Sequence, residues 1–172
     1  MAQPKLQLPL PFEQILRRYE REIMRYLLRA SGDRDDAADL FQETWLRAYR
    51  AYPRLEAHRE IRPWLYAIAV NLCRNRARDG ARRVRVIVAD NQQNSAAERA
   101  RKTHPSHNEN EGYAKVRLGE LLSTLPEKQR EALQLRYFGG LDYPEIAEIM
   151  KCSQPAARAN VSQALRKLKT LW

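Results

Sequence analysis

The chain has 172 residues, enough for one ordinary domain or two small ones. Its 31 Lys and Arg against 21 Asp and Glu give a net charge of +10, a balance that favours a polyanionic partner, either nucleic acid or an anionic membrane surface. No apolar run is long enough to span a bilayer, and the opening "MAQPKLQLPLPFEQ" lacks the apolar core of a signal peptide, so membrane insertion is not expected and a cytoplasmic protein is.

Helical periodicity dominates and no stretch reads firmly as a sheet, which predicts an all-α fold of two small helical domains. After a tail at 1–11, a first helix is expected from Phe12 to Ala30, with Ile15, Leu16, Tyr19, Ile23, Tyr26 and Leu27 on one side and Ser31-Gly32 as its stop. A second helix is expected from Asp36 to Ala51, before Pro53. In it Ala37, Phe41, Trp45, Ala48 and Tyr52 make an inward stripe, while Asp39, Gln42, Glu43 and Arg50 point outward with Leu46 among them. An acidic face carrying one large apolar side chain on a basic protein reads as a docking surface, although a single exposed Leu is also ordinary. Asp33, Asp35, Asp36 and Asp39 suit either a metal or a helix start, and the helix start is the reading adopted.

A third helix is expected from Arg62-Pro63 to Asp79-Gly80, with Leu65, Ile68, Ala69 and Leu72 inward. Another side carries Trp64, Asn71, Arg74, Asn75 and Arg78, with Arg82 and Arg83 just beyond. Aromatic, amide and guanidinium groups on one stripe can stack on unpaired bases and grip phosphates; Trp64 reads equally well as a core residue. "VRVIV" at 84–88 is at most one short strand.

From Asp90 to Gly112 the composition turns to Asn, Gln, Ser, His and Glu, which marks a linker between a domain at 12–89 and another at 113–172. His104-x-x-His107 has metal-like spacing, but without a paired Cys nearby it reads as solvated linker. Cys73 and Cys152 lie far apart in helical patterns and do not suggest a disulfide framework.

Three helix starts in the second domain look alike: Thr124-Leu125-Pro126-Glu127, Asp142-Tyr143-Pro144-Glu145 and Ser153-Gln154-Pro155. The last two bound helices of about eight and about fifteen residues joined by "KCS", a helix-turn-helix spacing that places the second helix in the major groove. On that helix Ala157, Val161, Ala164, Leu165 and Leu168 are expected inward. Opposite lie Pro155, Ala156, Ala159, Ser162, Gln163 and Arg166, flanked by Arg158 and Asn160, a mixture of small and hydrogen-bonding groups suited to base edges.

In order and over nearly the whole chain, "DAADLFQETWLRAYRAY", "PWLYAIAVNLCRNRAR", "LPEKQREALQLRYFGGLDYPEIAEIM" and the corner "KCS" resemble the extracytoplasmic-function branch of bacterial sigma factors. The resemblance implies a region 2 and a region 4 with no domain between them, no catalytic activity and no cofactor or metal. It implies that Asp39, Gln42, Glu43 and Leu46 dock on the coiled coil of the largest RNA polymerase subunit, with the polymerase flap as a further contact. It implies that Trp64, Asn71, Arg74, Asn75 and Arg78 recognise and open the minus-ten element of promoter DNA. Arg158, Ala159, Asn160, Ser162, Gln163 and Arg166 would read the minus-thirty-five element, and an anti-sigma partner would hold the protein inactive. The chain departs from the family pattern at Leu55 and Ala57, at "PAARANV", and at Lys151, which stands in place of a turn Gly.

Overall fold

The computed structural model describes residues 10–56, 60–90 and 117–171, all of the regular structure being helical. Helix α1 spans Phe12–Ser31 and buries Ile15, Tyr19, Ile23, Tyr26 and Leu27 of the stripe its periodicity predicts, while Leu16, at the edge of that stripe, is half-buried. It stops because Gly32 turns left-handed at φ 73° and returns its N–H to the Leu28 carbonyl at 3.2 Å, a conformation that costs a residue without Cβ little. Helix α2 spans Arg34–Ala51. Asp33 is its N-cap, accepting the Asp36 N–H at 2.8 Å, so that carboxylate serves the helix start.

The buried side of α2 holds Leu40 and Thr44 as well as Ala37, Trp45 and Ala48, while Phe41 is only half-buried. Thr44 fits there because its hydroxyl donates to the Leu40 carbonyl at 2.6 Å and needs no outside partner. A single 3-10 turn, Tyr52–Arg54, follows, and the Tyr52 hydroxyl donates to the Leu10 carbonyl. Phe12 meets the rings of Trp45, Tyr49 and Tyr52, closing this end of the bundle.

Helix α3 spans Ile61–Asp90, so it runs through the expected stop at Asp79-Gly80, and the segment read as at most a strand is helix. Gly80 does not adopt a left-handed conformation, and nothing stands within 4 Å of where its Cβ would be. An Asp-Gly pair ends a helix only when Gly takes positive φ; here Ala81, Arg82 and Arg83 follow, and these are good helix formers.

The second unit begins with helical residues 117–123 (α4), followed by α5 (Glu127–Tyr137), α6 (Tyr143–Met150) and α7 (Gln154–Leu171). The 90–112 linker of the sequence reading lies outside the described residues except at Asp90, as do His104 and His107. Leu122, Leu125, Leu135, Leu141, Ile146, Ile149, Ala157, Val161 and Ala164 form the core. Leu165, expected inward, is 42% exposed: residues 157, 161, 164 and 168 already fill the stripe, and position 165 falls past its edge. Nor does Thr124 cap α5. Its hydroxyl donates to the Leu121 carbonyl at 2.7 Å, serving the end of α4, and α5 starts after Pro126 with no side-chain cap.

The two units touch. Arg62 in the first turn of α3 donates through Nε to Glu22 of α1 at 2.7 Å, through Nη1 to Glu145 of α6 at 2.8 Å, and through Nη2 to the Gly139 carbonyl at 2.9 Å. The fully buried Tyr66 donates to Glu22 at 3.1 Å and lies 3.3 Å from the Gly139 oxygen. A chain read as two units on a coil does not foretell this contact.

Candidate nucleic-acid and polymerase interface

The helix-turn-helix corner is built by two local devices. Asp142 and Glu145 form a reciprocal capping box: Asp142 Oδ1 accepts the Glu145 N–H at 2.9 Å, and Glu145 Oε2 accepts the Asp142 N–H at 2.8 Å. At the other end of α6, Lys151 turns left-handed at φ 51° and Cys152 donates to the Ala147 carbonyl at 3.0 Å, the six-to-one closure of a Schellman turn. Ser153 Oγ then accepts the Ala156 N–H at 3.3 Å and starts α7.

On α7, Arg158, Ala159, Ser162, Gln163 and Arg166 are all exposed on one broad face. Arg158 lies over the Tyr143 ring at 4.7 Å, and Gln163 accepts from Gln129 at 2.9 Å, so both are oriented by α5 and α6. Asn160 differs. It is half-buried and donates to the Ala156 carbonyl of its own helix at 3.0 Å, which turns its amide away from a groove. Lys167 donates to the Thr124 carbonyl at 2.7 Å and ties α7 to the end of α4.

Along α3, the stripe divides. Trp64 is 9% exposed and packs towards the Tyr52 ring at 6.5 Å, so of its two readings the core one describes this structure. Asn75 and Arg78 are exposed. Asn71 accepts from Arg74 at 3.1 Å, and the Arg74 fork is held by Glu131 of α5, with Nε at 2.6 Å from the carboxylate. The Glu131 hydrogen bond raises the Arg74 pKa above its ordinary value against the opposing effect of burial. At Arg62 burial works the other way first, lowering the pKa, but Glu145 and Glu22 outweigh it and the charge is firmly kept.

On the outer face of α2, Asp39 and Gln42 are exposed, and Glu43 pairs with Arg47 one turn on at 2.6 Å. Asp39 also meets Arg76 of α3 at 3.2 Å, beside an Asp36–Arg76 pair at 3.1 Å. Leu46 is 43% exposed, and Tyr49, which sequence reasoning missed, is 62% exposed three residues further along the same face. Its spacing from Leu46 and Gln42 was the available signal. Among the described residues, no group of three or more His, Cys, Asp and Glu is placed to hold a metal ion.

Among the described residues all regular structure is helical, and a capped helix-turn-helix beside an acidic, partly apolar helix face is the combination expected of a DNA-binding transcription protein that also engages a protein partner. The family model for Sigma-70 region 2 matches residues 15–83, and that for Sigma-70, region 4 matches residues 115–168. The ECF RNA polymerase sigma factor SigM of Bacillus subtilis (strain 168) is 31% identical over 160 residues, covering 93% of this chain and 94% of that protein. The RNA polymerase sigma-H factor of Pseudomonas aeruginosa is 28% identical over 157 residues, 89% of this chain and 81% of that protein. Among solved structures, the sigma factor RpoE in complex with the anti-sigma factor NepR from Bartonella quintana aligns with a TM-score of 0.69 at 25% identity, over 93% of this chain and 95% of that one. CnrH in complex with the cytosolic domain of CnrY shares the fold, with a TM-score of 0.68 at 22% identity over 93% and 86% of the two chains. The chain belongs to the extracytoplasmic-function sigma factors of the sigma-70 family.

Proposed function

We propose that this chain is an alternative sigma factor that binds RNA polymerase core through α2 and directs it to promoters read by α3 and α7. It is a transcription-initiation factor, not an enzyme. Asp39, Gln42, Glu43 and Leu46, extended by Tyr49, form the polymerase-docking face, and the coiled coil of the largest subunit is its counterpart. Asn71, Arg74, Asn75 and Arg78 engage the minus-ten element; Arg158, Ala159, Ser162, Gln163 and Arg166 read the minus-thirty-five element. Region 2 is assigned to 12–89 and region 4 to 113–172.

The observation that carries this reading is the pairing, in one chain, of the capped α6–α7 corner with the exposed acidic and apolar face of α2. A stand-alone regulator needs the first and has no use for the second. Control by an anti-sigma factor is part of the proposal, supported by the related RpoE, whose solved structure holds such a partner. No helix among the described residues is long and apolar enough to cross a membrane, which accords with the cytoplasmic location proposed for it. Run-off transcription with polymerase core on a promoter library tests the reading. Sequence-dependent initiation that requires the added chain is the expected result, and failure to bind core in a pull-down counts against it.

A further inference from the structure

Arg158 is held differently from Arg62 and Arg74. Those two spend their guanidinium N–H groups on carboxylates within the protein. The Arg158 guanidinium stands instead over the Tyr143 ring, 4.7 Å from its centre, and Arg158 is exposed on α7. A ring face attracts a guanidinium through its quadrupole and does not use up the fork of N–H donors. A carboxylate at position 143 would hold Arg158 but occupy that fork. An aliphatic side chain there would leave the fork free but the arginine spread over its rotamers. An aromatic ring orders the side chain and keeps its donors available.

The ring is itself fixed. Tyr143 is the first residue of α6, set by the Asp142–Glu145 capping box, and it packs half-buried against the core. Arg136 of α5 stands over the same ring at 5.0 Å and donates to the Leu141 carbonyl at 2.8 Å, just before that cap. Side chains from α5, α6 and α7 therefore meet at one ring, and the direction of Arg158 is set by residues outside α7.

An arginine that reads a base must bring two donors to one base edge, so ordering it before binding removes part of the cost of contact. We propose that Tyr143 is a specificity-determining positioning residue. Its ring orders Arg158 with the fork unspent and so sharpens the choice of base at the minus-thirty-five position that Arg158 reads. The proposal rests on the reading of Arg158 as a base contact. It gives the first helix of the corner a share in sequence choice, beyond bracing α7 across the phosphate backbone.

The test uses the full chain with polymerase core on a promoter library randomised in the minus-thirty-five element. It reads the ratio of initiation between the best and the worst base at each position. Arg158→Ala identifies the position that Arg158 reads. Tyr143→Leu is expected to lower discrimination there by about two- to fivefold, the worth of an exposed cation–π pair, and to leave other positions as they are. Tyr143→Phe, which keeps the ring, is expected to retain the wild-type discrimination. In an Arg158→Ala background, Tyr143→Leu is expected to add nothing at that position. Unchanged discrimination in Tyr143→Leu overturns the proposal, and so does an even loss at every position, which marks a merely structural role or a phosphate contact. An equal loss in Tyr143→Phe also overturns it and assigns the effect to the hydroxyl. If Arg158→Ala changes no position, the reading of Arg158 fails and the proposal falls with it. Relaxation by Arg158→Ala without relaxation by Tyr143→Leu strikes the proposal alone. If Tyr143→Leu loses helicity by circular dichroism, Tyr143→Met carries the same comparisons.

Discussion

The Tyr66 ring lies so close to Gly139 that a Cβ on residue 139 would stand 3.0 Å from the ring edge and 2.8 Å from the Leu135 carbonyl oxygen. No side chain other than hydrogen fits between α3 and the α5–α6 corner without movement of backbone. Gly139→Ala is therefore expected to destabilise the protein by about 1–3 kcal/mol, as overpacking does. Thermal unfolding measures this, and a wild-type melting temperature would show that the corner has slack.

Lys151 offers the opposite opportunity. It holds a left-handed conformation at φ 51°, which costs a residue with a Cβ about 1–2 kcal/mol, while glycine would lose about 0.5–1 kcal/mol in extra chain entropy. Lys151→Gly is expected to raise stability by roughly 0.5–1 kcal/mol at the helix-turn-helix corner. The midpoint of denaturant unfolding reports it, and a lower midpoint contradicts it.

Leu46 and Tyr49 are exposed together on α2, so truncating either should weaken polymerase docking with little effect on folding. Leu46→Glu is expected to abolish core binding, and Tyr49→Ala to weaken it by about 1 kcal/mol or more, as anchor residues do. Pull-down and titration with core enzyme, set beside far-ultraviolet circular dichroism, separate the two effects. Undiminished affinity in both variants would remove this face from the docking surface.

The residues of α7 should not respond alike. Arg158→Ala and Gln163→Ala are expected to relax preference at one or two upstream positions by about 1–3 kcal/mol. Asn160→Ala should leave preference unchanged, because its amide is already satisfied by the Ala156 carbonyl. Lys169→Ala should weaken binding evenly across sequences. Transcription from a minus-thirty-five library distinguishes these outcomes, and equal losses from all four would reduce α7 to an electrostatic anchor.

Cys73 gives a pH prediction. Burial first, and then the neighbouring Glu131 carboxylate, push its thiol up to about 11 from an ordinary 9.0. The unfolded thiol ionises first, so the contribution is intact below pH 9 and is lost progressively as the pH rises from 9 towards 11. The denaturation midpoint of the wild type should fall over this window more than that of Cys73→Ala. Parallel pH profiles would contradict the assignment.

What the sequence made legible was local. Asp142 with Glu145, and Ser153 before Pro155, announce helix starts because a cap needs only its own turn, and both are capped as expected. Thr124 presents the same letters, but the end of α4 takes its hydroxyl, a competition no local pattern displays. Gly80 carries the letters of a stop without the left-handed conformation that makes one. Arg62 pairs with Glu145 across 83 positions, and its neighbours in sequence, Ile61 and Pro63, say nothing of that partner. The Trp–Asn–Arg stripe on α3 was visible as a pattern, yet only the fold separates Trp64, in the core, from Asn75 and Arg78 on the surface.

Glu145 holds two things at once. One carboxylate oxygen accepts the Asp142 amide, and both face the Arg62 guanidinium. Separation of the units would release that side chain into several rotamers and leave the Asp142 amide intermittently open to solvent. Its deuterium uptake would then speed up whenever the units part, while the Glu145 amide, held by Asp142 itself, would change less. One backbone proton at the start of a DNA-reading motif thus reports, without any introduced label, whether the distant half of the chain is still attached to it.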